Sequence, residues 1–363
     1  MECYRFRPDG PFRRTLTARS CGQRGVGRRR VPADWLVTSA TAPAEGMRAD
    51  PYAIRTSPVA SRATTPQSRS HSRTIGHGYP GHWPPTVGRM RIRIVDAFTE
   101  RPFAGNPAGV VLLDTDTFPD DGWLQRVASE VNLAETAFAH PLPGAAEADW
   151  ALRWFTPTTE APMCGHATLA TTHVLRNTGA ATGTVRFATL SGVLSATADD
   201  GGTITLDFPT ASLTALEVPR ETAEVAEAIG ADIVSAHRAG PYIDDLLLEL
   251  ADEKTVRALA PDLAALKRIG HRGFLVTAAA EDPTRGYDFV SRMFAPGVGI
   301  DEDPVTGSAH TALAPYWSAR FGRDELTGLQ VSARTGLVRT ALRGDRTLLT
   351  GAAVTVIDGE LLV

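Results

Sequence analysis

Hydrophobic and polar residues alternate in many short runs after residue 89, and this alternation predicts that β-strands make up most of that part of the chain. The runs IRIVDAF, AGVVLL and DWALRWF are examples, with glycine, proline or aspartate at their ends. Fewer segments repeat apolar residues every three or four positions, as helices do. One of these spans about residues 165–177, with Gly179 as its stop signal. The pattern predicts an α+β fold.

One helical pattern recurs further along the chain. The segments CGHATLATTHVL and TGSAHTALAPYW share glycine at the second position and alanine at the fourth. Each follows a strand pattern that ends in phenylalanine, a small residue and proline. A repeat with a period of about 140 residues predicts two similar lobes, over residues 90–209 and 210–352. We expect the functional site in the cleft between them, where one helix start arrives from each lobe.

Residues 1–89 show neither the two-residue period of strands nor the 3.6-residue period of helices. We predict that they form a disordered leader. They contain 15 arginines, no lysine and five acidic residues. Such a segment cannot bury enough apolar surface to offset the entropy lost on ordering. Its composition resembles an organellar transit peptide or a basic arm that binds nucleic acid. We favour a third interpretation, an over-extended translation start, because Met90 opens the first clean strand pattern.

Charge and cysteine usage narrow the possible partners and compartment. The chain has a net charge of −4, yet the residues after position 89 hold 22 basic and 36 acidic side chains. This acidic body argues against nucleic acid as a partner, and no run of about 18 apolar residues is present to span a membrane. Cys164 is the only cysteine after residue 89, which excludes a disulfide framework there and is typical of a reducing cytosol. We therefore expect a cytoplasmic protein.

The two predicted helix starts are candidates for binding an anion. A helix start exposes unpaired backbone N–H groups and about half a positive charge, so it attracts carboxylates and developing oxyanions. Gly165 and Gly307 remove the Cβ where a ligand would approach the backbone. Two such starts facing each other would hold a small acid and stabilise an enolate-like intermediate.

Glu135 is the candidate base. It lies in the run AETAFAHP, where alternation places it on the same face as Ala137 and Ala139. In a pocket with little around it, burial would raise its pKa above about 4.3 and suit it to take and return a proton near neutral pH. Its spacing alone favours a plainer interpretation, a solvated surface carboxylate.

Five motifs in order resemble a known family. They are VDAFTERPFAGNPAGVVLL, NLAETAFA, LRWFTPTTEAPMCGHATLA, LDFP and DEDPVTGSAHTAL. Together they resemble the PhzF-type phenazine-biosynthesis isomerases, which have the diaminopimelate-epimerase-like fold. The resemblance covers essentially all of residues 90–363 and none of the leader. It implies two lobes that each wrap a mixed sheet around a central helix, with a last strand, 353–363, that returns to the first lobe.

The same resemblance implies a reaction and a set of site residues. The family's characterised reaction is a cofactor-free isomerisation of dihydro-hydroxyanthranilate, in which a glutamate moves a proton from one carbon to another. Glu135 matches this glutamate, His166 the assisting histidine and Asp303 the family's aspartate. A homodimer without a cofactor is also implied. The positions that match the substrate-binding residues are Asn106, Gly165, Gly307 and Ser308.

Cys164 raises two other possibilities, a two-cysteine epimerase mechanism and a zinc site. Epimerases of this fold use two opposed cysteines, but Thr306 aligns at the second helix start, and a threonine hydroxyl is far too weak an acid to replace a thiol. A zinc site is not expected, since His166 and His173 have no second cysteine and no third ligand nearby in the sequence. We expect Cys164 to be a small buried packing residue and the site to hold no metal.

The leading hypothesis is a cofactor-independent isomerase that acts on a small carboxylated substrate through Glu135. An amino-acid epimerase or racemase is an alternative enzyme. A catalytically silent homodimer that binds a small molecule is an alternative of a different class, and an acyl-transfer enzyme using Cys164 and His166 is a third. No Walker A or Rossmann fingerprint is present, so we expect neither a nucleotide nor a flavin.

Overall fold

The structure, a computed structural model, describes residues 90–240 and 243–362. The predicted leader, residues 1–89, lies outside these ranges, and so do the interpretations attached to it. No helix within the described ranges is long and apolar enough to cross a membrane.

The α-helices are α1 (Asp121–Val131), α2 (Gly165–Asn177), α3 (Ala223–Ile229), α4 (Glu253–Ala258), α5 (Leu263–Ile269) and α6 (Gly307–Phe321). The strands are β1 (Met90–Ala97), β2 (Asn106–Leu112), β3 (Glu135–Pro141), β4 (Trp150–Phe155), β5 (Glu160–Ala161), β6 (Thr184–Thr189), β7 (Gly192–Ala198), β8 (Ile204–Pro209), β9 (Ser212–Ala215), β10 (Ser235–Gly240), β11 (Asp245–Glu249), β12 (Gly273–Ala279), β13 (Phe289–Ala295), β14 (Ile300–Asp303), β15 (Glu325–Gln330), β16 (Gly336–Arg343), β17 (Arg346–Gly351) and β18 (Ala353–Leu361).

Backbone pairing joins the strands in two series. The first series runs β18, β1, β2, β3, β4, β6, β7, β8. The second runs β9, β10, β11, β12, β13, β15, β16, β17. The antiparallel pair β8/β17 joins the two series, and the short strands β5 and β14 pair with β4 and β13. We call the first series with α1 and α2 the first half, and the second series with α3 to α6 the second half.

The second half repeats the first in the direction of every pairing. The parallel pairs of the first half are β2/β3 and β4/β6, and those of the second are β11/β12 and β13/β15. Each parallel pair is joined through helix, because parallel neighbours need a long crossover connection. The other pairings in both halves are antiparallel. The predicted α+β fold, with two similar lobes that each place a mixed sheet around a helix, is confirmed.

The central helices α2 and α6 are held by apolar burial. In α2, Leu169 and Val174 belong to the apolar core of the first half. In α6, Leu313 and Trp317 belong to a separate core in the second half. Full burial of one large apolar side chain contributes about 1.5–3 kcal/mol. Each helix is therefore held against its own sheet. This packing also sets the position of the first residue of the helix.

Strand β18 lies beside β1, with Met90 opposite Leu361 and Ala97 opposite Ala353. The last described strand therefore pairs with the first one. All described residues fall in one compact unit. The lobe boundaries at residues 90–209 and 210–352 stay a prediction.

Candidate active site

The starts of α2 and α6 meet at two glycines. A Cβ placed on Gly165 would lie 3.2 Å from the Cα of Gly307, and a Cβ on Gly307 would lie equally close to the Cα of Gly165. Both glycines therefore allow the two helix starts to touch. We expected the missing side chains to admit a ligand, and the structure gives a different reason, because each one makes room for the opposite helix.

Glu135 is the first residue of β3, and it contacts His166 in the first turn of α2. Its Oε2 lies 3.2 Å from His166 Nε2, and the two side chains are only 13% and 5% exposed. The interpretation of Glu135 as a solvated surface carboxylate is therefore wrong.

Burial shifts the protonation of both partners toward their neutral forms. Burial, followed by the negative charge of Asp303, raises the pKa of Glu135 to about 8. A hydrogen bond with Cys164 and the charge of Arg272 act on this pKa in the opposite direction. Burial lowers the pKa of His166 to about 4, although Asp303 favours its charged form. Near neutral pH a neutral imidazole thus faces a carboxyl group that exchanges between its two protonation states.

Asn106, the first residue of β2, hydrogen-bonds to the second half. Its side chain is buried, and Nδ2 donates to Asp303 Oδ1 at 2.7 Å and to the Val305 carbonyl at 2.9 Å. The same nitrogen lies 3.2 Å from His166 Nδ1. Because an amide nitrogen only donates, this contact favours the His166 tautomer whose proton is on Nε2, facing Glu135.

Asp303, the last residue of β14, is fixed by polar groups around the second helix start. Thr306 Oγ1 donates to Asp303 Oδ2 at 2.5 Å. Gln330 Nε2 donates to the Asp303 carbonyl at 2.7 Å, and Gln330 Oε1 accepts from the Thr306 backbone N–H at 2.8 Å. Gln330 is absent from the set predicted from sequence. A long amide side chain at the end of the half-apolar run ELTGLQ is the one signal that could have indicated it.

Cys164 is buried beside the pair of Glu135 and His166. Its thiol is free, and Sγ lies 3.5 Å from His166 Nδ1. Burial, followed by the charge of Glu135, raises the pKa of the Cys164 thiol well above its usual value. The thiol therefore stays protonated at neutral pH. This argues against the acyl-transfer hypothesis, which needs a thiolate.

Three side chains of this set could hold a metal ion. The donor atoms of Glu135, Cys164 and His166 lie within 4.8 Å of one another. The sequence indicates no third ligand near His166 and His173, whereas in the structure β3 brings Glu135 to Cys164 and His166. Metal binding would require Glu135 and Cys164 to lose their protons, against the raised pKa of both groups.

Ser308 is the predicted site residue that stands apart. It follows Gly307 in α6 and is half-buried, and its carbonyl accepts from Thr311 Oγ1 at 2.7 Å. Within the described part of the chain, its side chain makes no hydrogen bond to the predicted catalytic residues. The structure thus brings Asn106, Glu135, His166 and Asp303 into one hydrogen-bonded group, with Ser308 at its edge.

A cavity of about 370 Å³ lies elsewhere on the molecule. Its lining includes Phe98, Leu337 and Arg339, and no predicted site residue contributes to it. The candidate active site is therefore defined by its hydrogen-bonded side chains and not by this cavity.

Known proteins resemble this chain in sequence and in structure. A family model described as "Phenazine biosynthesis-like protein" matches residues 95–359. An uncharacterized isomerase of Halalkalibacterium halodurans is 42% identical over 278 residues, which cover 75% of this chain and 98% of the relative. Phenazine biosynthesis-like domain-containing protein 2 of Mus musculus is 40% identical over 295 residues, which cover 75% and 99%. The crystal structure of a PhzF-family protein from Enterococcus faecalis has a TM-score of 0.68 and 38% identity, over 76% of this chain and 100% of that chain.

Proposed function

Because the chain belongs to the phenazine biosynthesis-like protein family and is an isomerase, we propose that it moves a proton between two carbons of a small carboxylated substrate without a cofactor. Glu135 is the general acid/base. The observation that carries this proposal is the 3.2 Å contact between buried Glu135 and neutral His166. A carboxyl group with a pKa of about 8 both takes and gives a proton near neutral pH.

The proposed reaction consists of two proton transfers. The carboxylate of Glu135 takes a proton from one carbon, and the electron pair of that C–H bond moves into the conjugated system of the substrate. Glu135 then gives the proton to a second carbon, where an electron pair of the conjugated system forms the new C–H bond. Glu135 returns to its starting state, so the reaction balances without an oxidant or a reductant.

Three neighbours prepare Glu135 for this work. His166 donates from Nε2 to the carboxylate and holds it in place between the two transfers. Asn106 favours the tautomer of His166 that makes this possible. After burial, the negative charge of Asp303 is the next contribution that keeps the pKa of Glu135 high enough for the proton to be taken up. His166 and Asp303 are thus the proposed assisting residues.

The starts of α2 and α6 are proposed to stabilise the negative charge that develops on the substrate. The first N–H groups of a helix have no partner within the helix, and the two starts meet at Gly165 and Gly307. A preorganised donor aimed at developing charge contributes about 3 kcal/mol. Gly165, Gly307 and Ser308 are the proposed substrate-binding positions at these starts, and Asn106 lines the same cleft.

An epimerase of the two-base type is the weaker candidate. It needs a second proton carrier opposite the first, at the position that Thr306 occupies. The Thr306 hydroxyl donates a hydrogen bond to Asp303 at 2.5 Å, so this hydroxyl has a structural role. A single acid/base favours proton movement between two carbons over inversion at one carbon.

The proposal includes a cytoplasmic homodimer, as the family resemblance implies. Size-exclusion chromatography with light scattering on the full chain tests the oligomeric state. The expected mass is twice the chain mass of 38.7 kDa, and a monomer at micromolar concentration would contradict the dimer.

Deuterium incorporation tests the proposed reaction. Full-length protein is incubated in D2O with small cyclic and amino-acid carboxylates, including dihydro-hydroxyanthranilate, and NMR follows deuterium entering a carbon position. We expect incorporation with the native protein and a loss of about 100-fold or more in Glu135→Gln. Glu130→Gln, which changes an exposed glutamate of α1, is the matched control and should behave as the native protein does.

Two results would count against the proposal. Incorporation that survives in Glu135→Gln would remove Glu135 as the acid/base. Binding of these compounds by the native protein without any incorporation would favour the catalytically silent binding protein.

A further inference from the structure

The connection between β1 and β2, residues 98–105, leads directly into Asn106 and has a strained backbone. Phe98 and Phe103 have φ angles of 61° and 67°, in the left-handed region that bulky side chains rarely adopt. Gly105, directly before Asn106, has a φ angle of 66°. Strained backbone persists only where surrounding groups hold it, and it is concentrated at functional sites. The groups that hold this connection therefore bear on the position of Asn106.

Arg334 holds the end of this connection. It lies between β15 and β16, in a second connection of residues 331–335 that belongs to the second half. Its Nε donates to the Gly105 carbonyl at 2.9 Å, and its Nη2 donates to the Ala104 carbonyl at 3.0 Å. Nη2 also donates to Asp96 Oδ1 at 2.7 Å. The planar guanidinium group thus binds the two peptide carbonyls that directly precede β2.

Asp96 holds the same end of the β1–β2 connection. It is almost fully buried in β1, and its Oδ2 accepts from the Phe103 backbone N–H at 2.7 Å. The Gly105 backbone N–H donates to the Thr335 carbonyl at 2.7 Å. We call the ion pair of Asp96 and Arg334 the clamp, because its two members bind the backbone of this connection from both sides.

The β15–β16 connection also reaches the other side of the candidate active site. Ser332 Oγ donates to the Pro304 carbonyl at 2.7 Å. Gln330, directly before this connection, donates from Nε2 to the Asp303 carbonyl at 2.7 Å. One short segment of the second half therefore holds both Asp303 and the backbone that leads into Asn106.

The length of the β1–β2 connection favours a functional role over a purely structural one. β1 and β2 are antiparallel neighbours, with Ala97 opposite Asn106, and two residues are enough to join such strands. The connection here spans residues 98–105 and is held by a buried carboxylate. A buried ion pair is often no more stabilising than apolar residues of similar volume. Stability alone therefore explains the connection and its clamp poorly.

Asn106 is the residue through which the clamp reaches the reacting groups. Its Nδ2 donates to Asp303 Oδ1 at 2.7 Å and lies 3.2 Å from His166 Nδ1. Displacement of a site residue by about 1 Å can lower a rate by about 100-fold. We infer that the clamp positions Asn106, and that Arg334 is thereby a positioning residue for the tautomer of His166. The effect on the rate rests on the proposed function, whereas the effect on the tautomer does not.

The tautomer of His166 tests the inference without a substrate. Nitrogen-15 NMR of the full chain, labelled at the histidine ring nitrogens, reads which ring nitrogen carries the proton, and His166→Gln identifies the resonances. We expect the proton on Nε2 in the native protein. In Arg334→Gln both ring resonances should shift toward those of the other neutral tautomer, because Asn106 no longer stays opposite Nδ1.

Arg346→Gln is the matched control. Arg346 is 38% exposed and Arg334 31%, and Arg346 also joins the two halves, since its Nε donates to Asp207 Oδ1 at 2.8 Å. It makes no printed contact with the β1–β2 connection in the described part of the chain. Arg346→Gln should therefore keep the native His166 resonances even if it melts at a lower temperature.

Deuterium incorporation into dihydro-hydroxyanthranilate gives a second measurement. We expect Arg334→Gln to lower kcat by about 10- to 100-fold and to keep KM within about threefold, because no group that contacts the substrate is removed. Arg334→Lys keeps the charge opposite Asp96 but lacks the planar fork for two carbonyls, and its kcat should lie between those of the native protein and Arg334→Gln.

A double variant guards against a folding defect. Arg334→Gln leaves the buried carboxylate of Asp96 without its cation, so Asp96→Asn/Arg334→Gln removes both charges together. Circular dichroism should show this double variant folded at 25 °C, and its His166 resonances should shift as those of Arg334→Gln do.

Native His166 resonances in a folded Arg334→Gln or in the double variant would overturn the inference. So would an equal shift in Arg346→Gln, or a loss of activity in Arg334→Gln through KM alone. Glu135→Gln separates the inference from the proposed function. If deuterium incorporation persists in Glu135→Gln while Arg334→Gln shifts the His166 resonances, the positioning role stands and the acid/base proposal falls.

Discussion

The starts of α2 and α6 occupy equivalent places in the two halves, yet their side chains do different things. At the first start, His166 contacts Glu135, whose pKa lies within reach of neutral pH. At the second, Thr306 and Gln330 fix Asp303 through hydrogen bonds. The repeated fold places equivalent backbone groups twice, and the proposed reaction needs a proton-carrying side chain only once. The residues at the site, and not the fold, decide the chemistry.

The backbone of the two starts is stabilised in the same way by different residues. Thr168 Oγ1 donates to the Cys164 carbonyl at 2.6 Å, and His310 Nδ1 lies 2.8 Å from the Thr306 carbonyl. His310 therefore fills the place of a threonine that satisfies a helix carbonyl. The histidine that contacts an acid is His166.

Exchanging each histidine for glutamine gives the largest expected contrast between the two starts. We expect His166→Gln to lower deuterium incorporation by about 100-fold, because Glu135 loses the donor that holds it. His310→Gln should keep the rate within a few fold and lower the free energy of unfolding by about 1–3 kcal/mol, because it disturbs a buried hydrogen bond. NMR and urea unfolding measure the two effects. The opposite pattern would place the chemistry at the second start.

Adding a methyl group at either glycine tests the contact between the starts. Gly165→Ala and Gly307→Ala each place a Cβ 3.2 Å from the opposite backbone, and overpacking of this kind costs about 1–3 kcal/mol. Gly359→Ala is the control, because a Cβ there meets nothing within 4 Å. Thermal unfolding of the three variants checks the prediction, which fails if all three melt alike.

The pH dependence of stability should separate Glu135 from an ordinary glutamate. Its folded pKa of about 8 lies above the unfolded value, so its stabilising contribution is complete below about pH 4.3 and is lost as the pH rises through 8. Glutamine does not titrate. Between pH 5 and 9, Glu135→Gln should therefore gain about 4 kcal/mol in free energy of unfolding relative to the native protein. Urea unfolding across this range measures the difference, and a constant difference would contradict the shift.

Removing the thiol is expected to have the smallest effect. Cys164 stays protonated because burial raises its pKa, so Cys164→Ala should keep the rate within about threefold and iodoacetamide should not inactivate the native protein. Rapid inactivation that Cys164→Ala prevents would show that the first start carries a second reactive group.

Local patterns were sufficient for the elements but not for the contacts between them. The span of α2 follows from apolar spacing and from Gly179, which are local features. The hydrogen bond between Asn106 and Asp303 joins positions 197 residues apart, and no spacing rule connects them. Gln330 is a polar residue between the apolar Leu329 and Val331, and its importance depends on which strand ends meet in space. The roles of the predicted site residues came from the family resemblance.

The most direct measurement is the titration of Glu135 itself. Carbon-13 NMR of protein labelled at the glutamate side-chain carboxyl carbon follows its resonance with pH, and Glu135→Gln identifies that resonance. The account predicts an apparent pKa of about 8. A value near 4.3, typical of an exposed glutamate, would contradict a buried acid/base at this position.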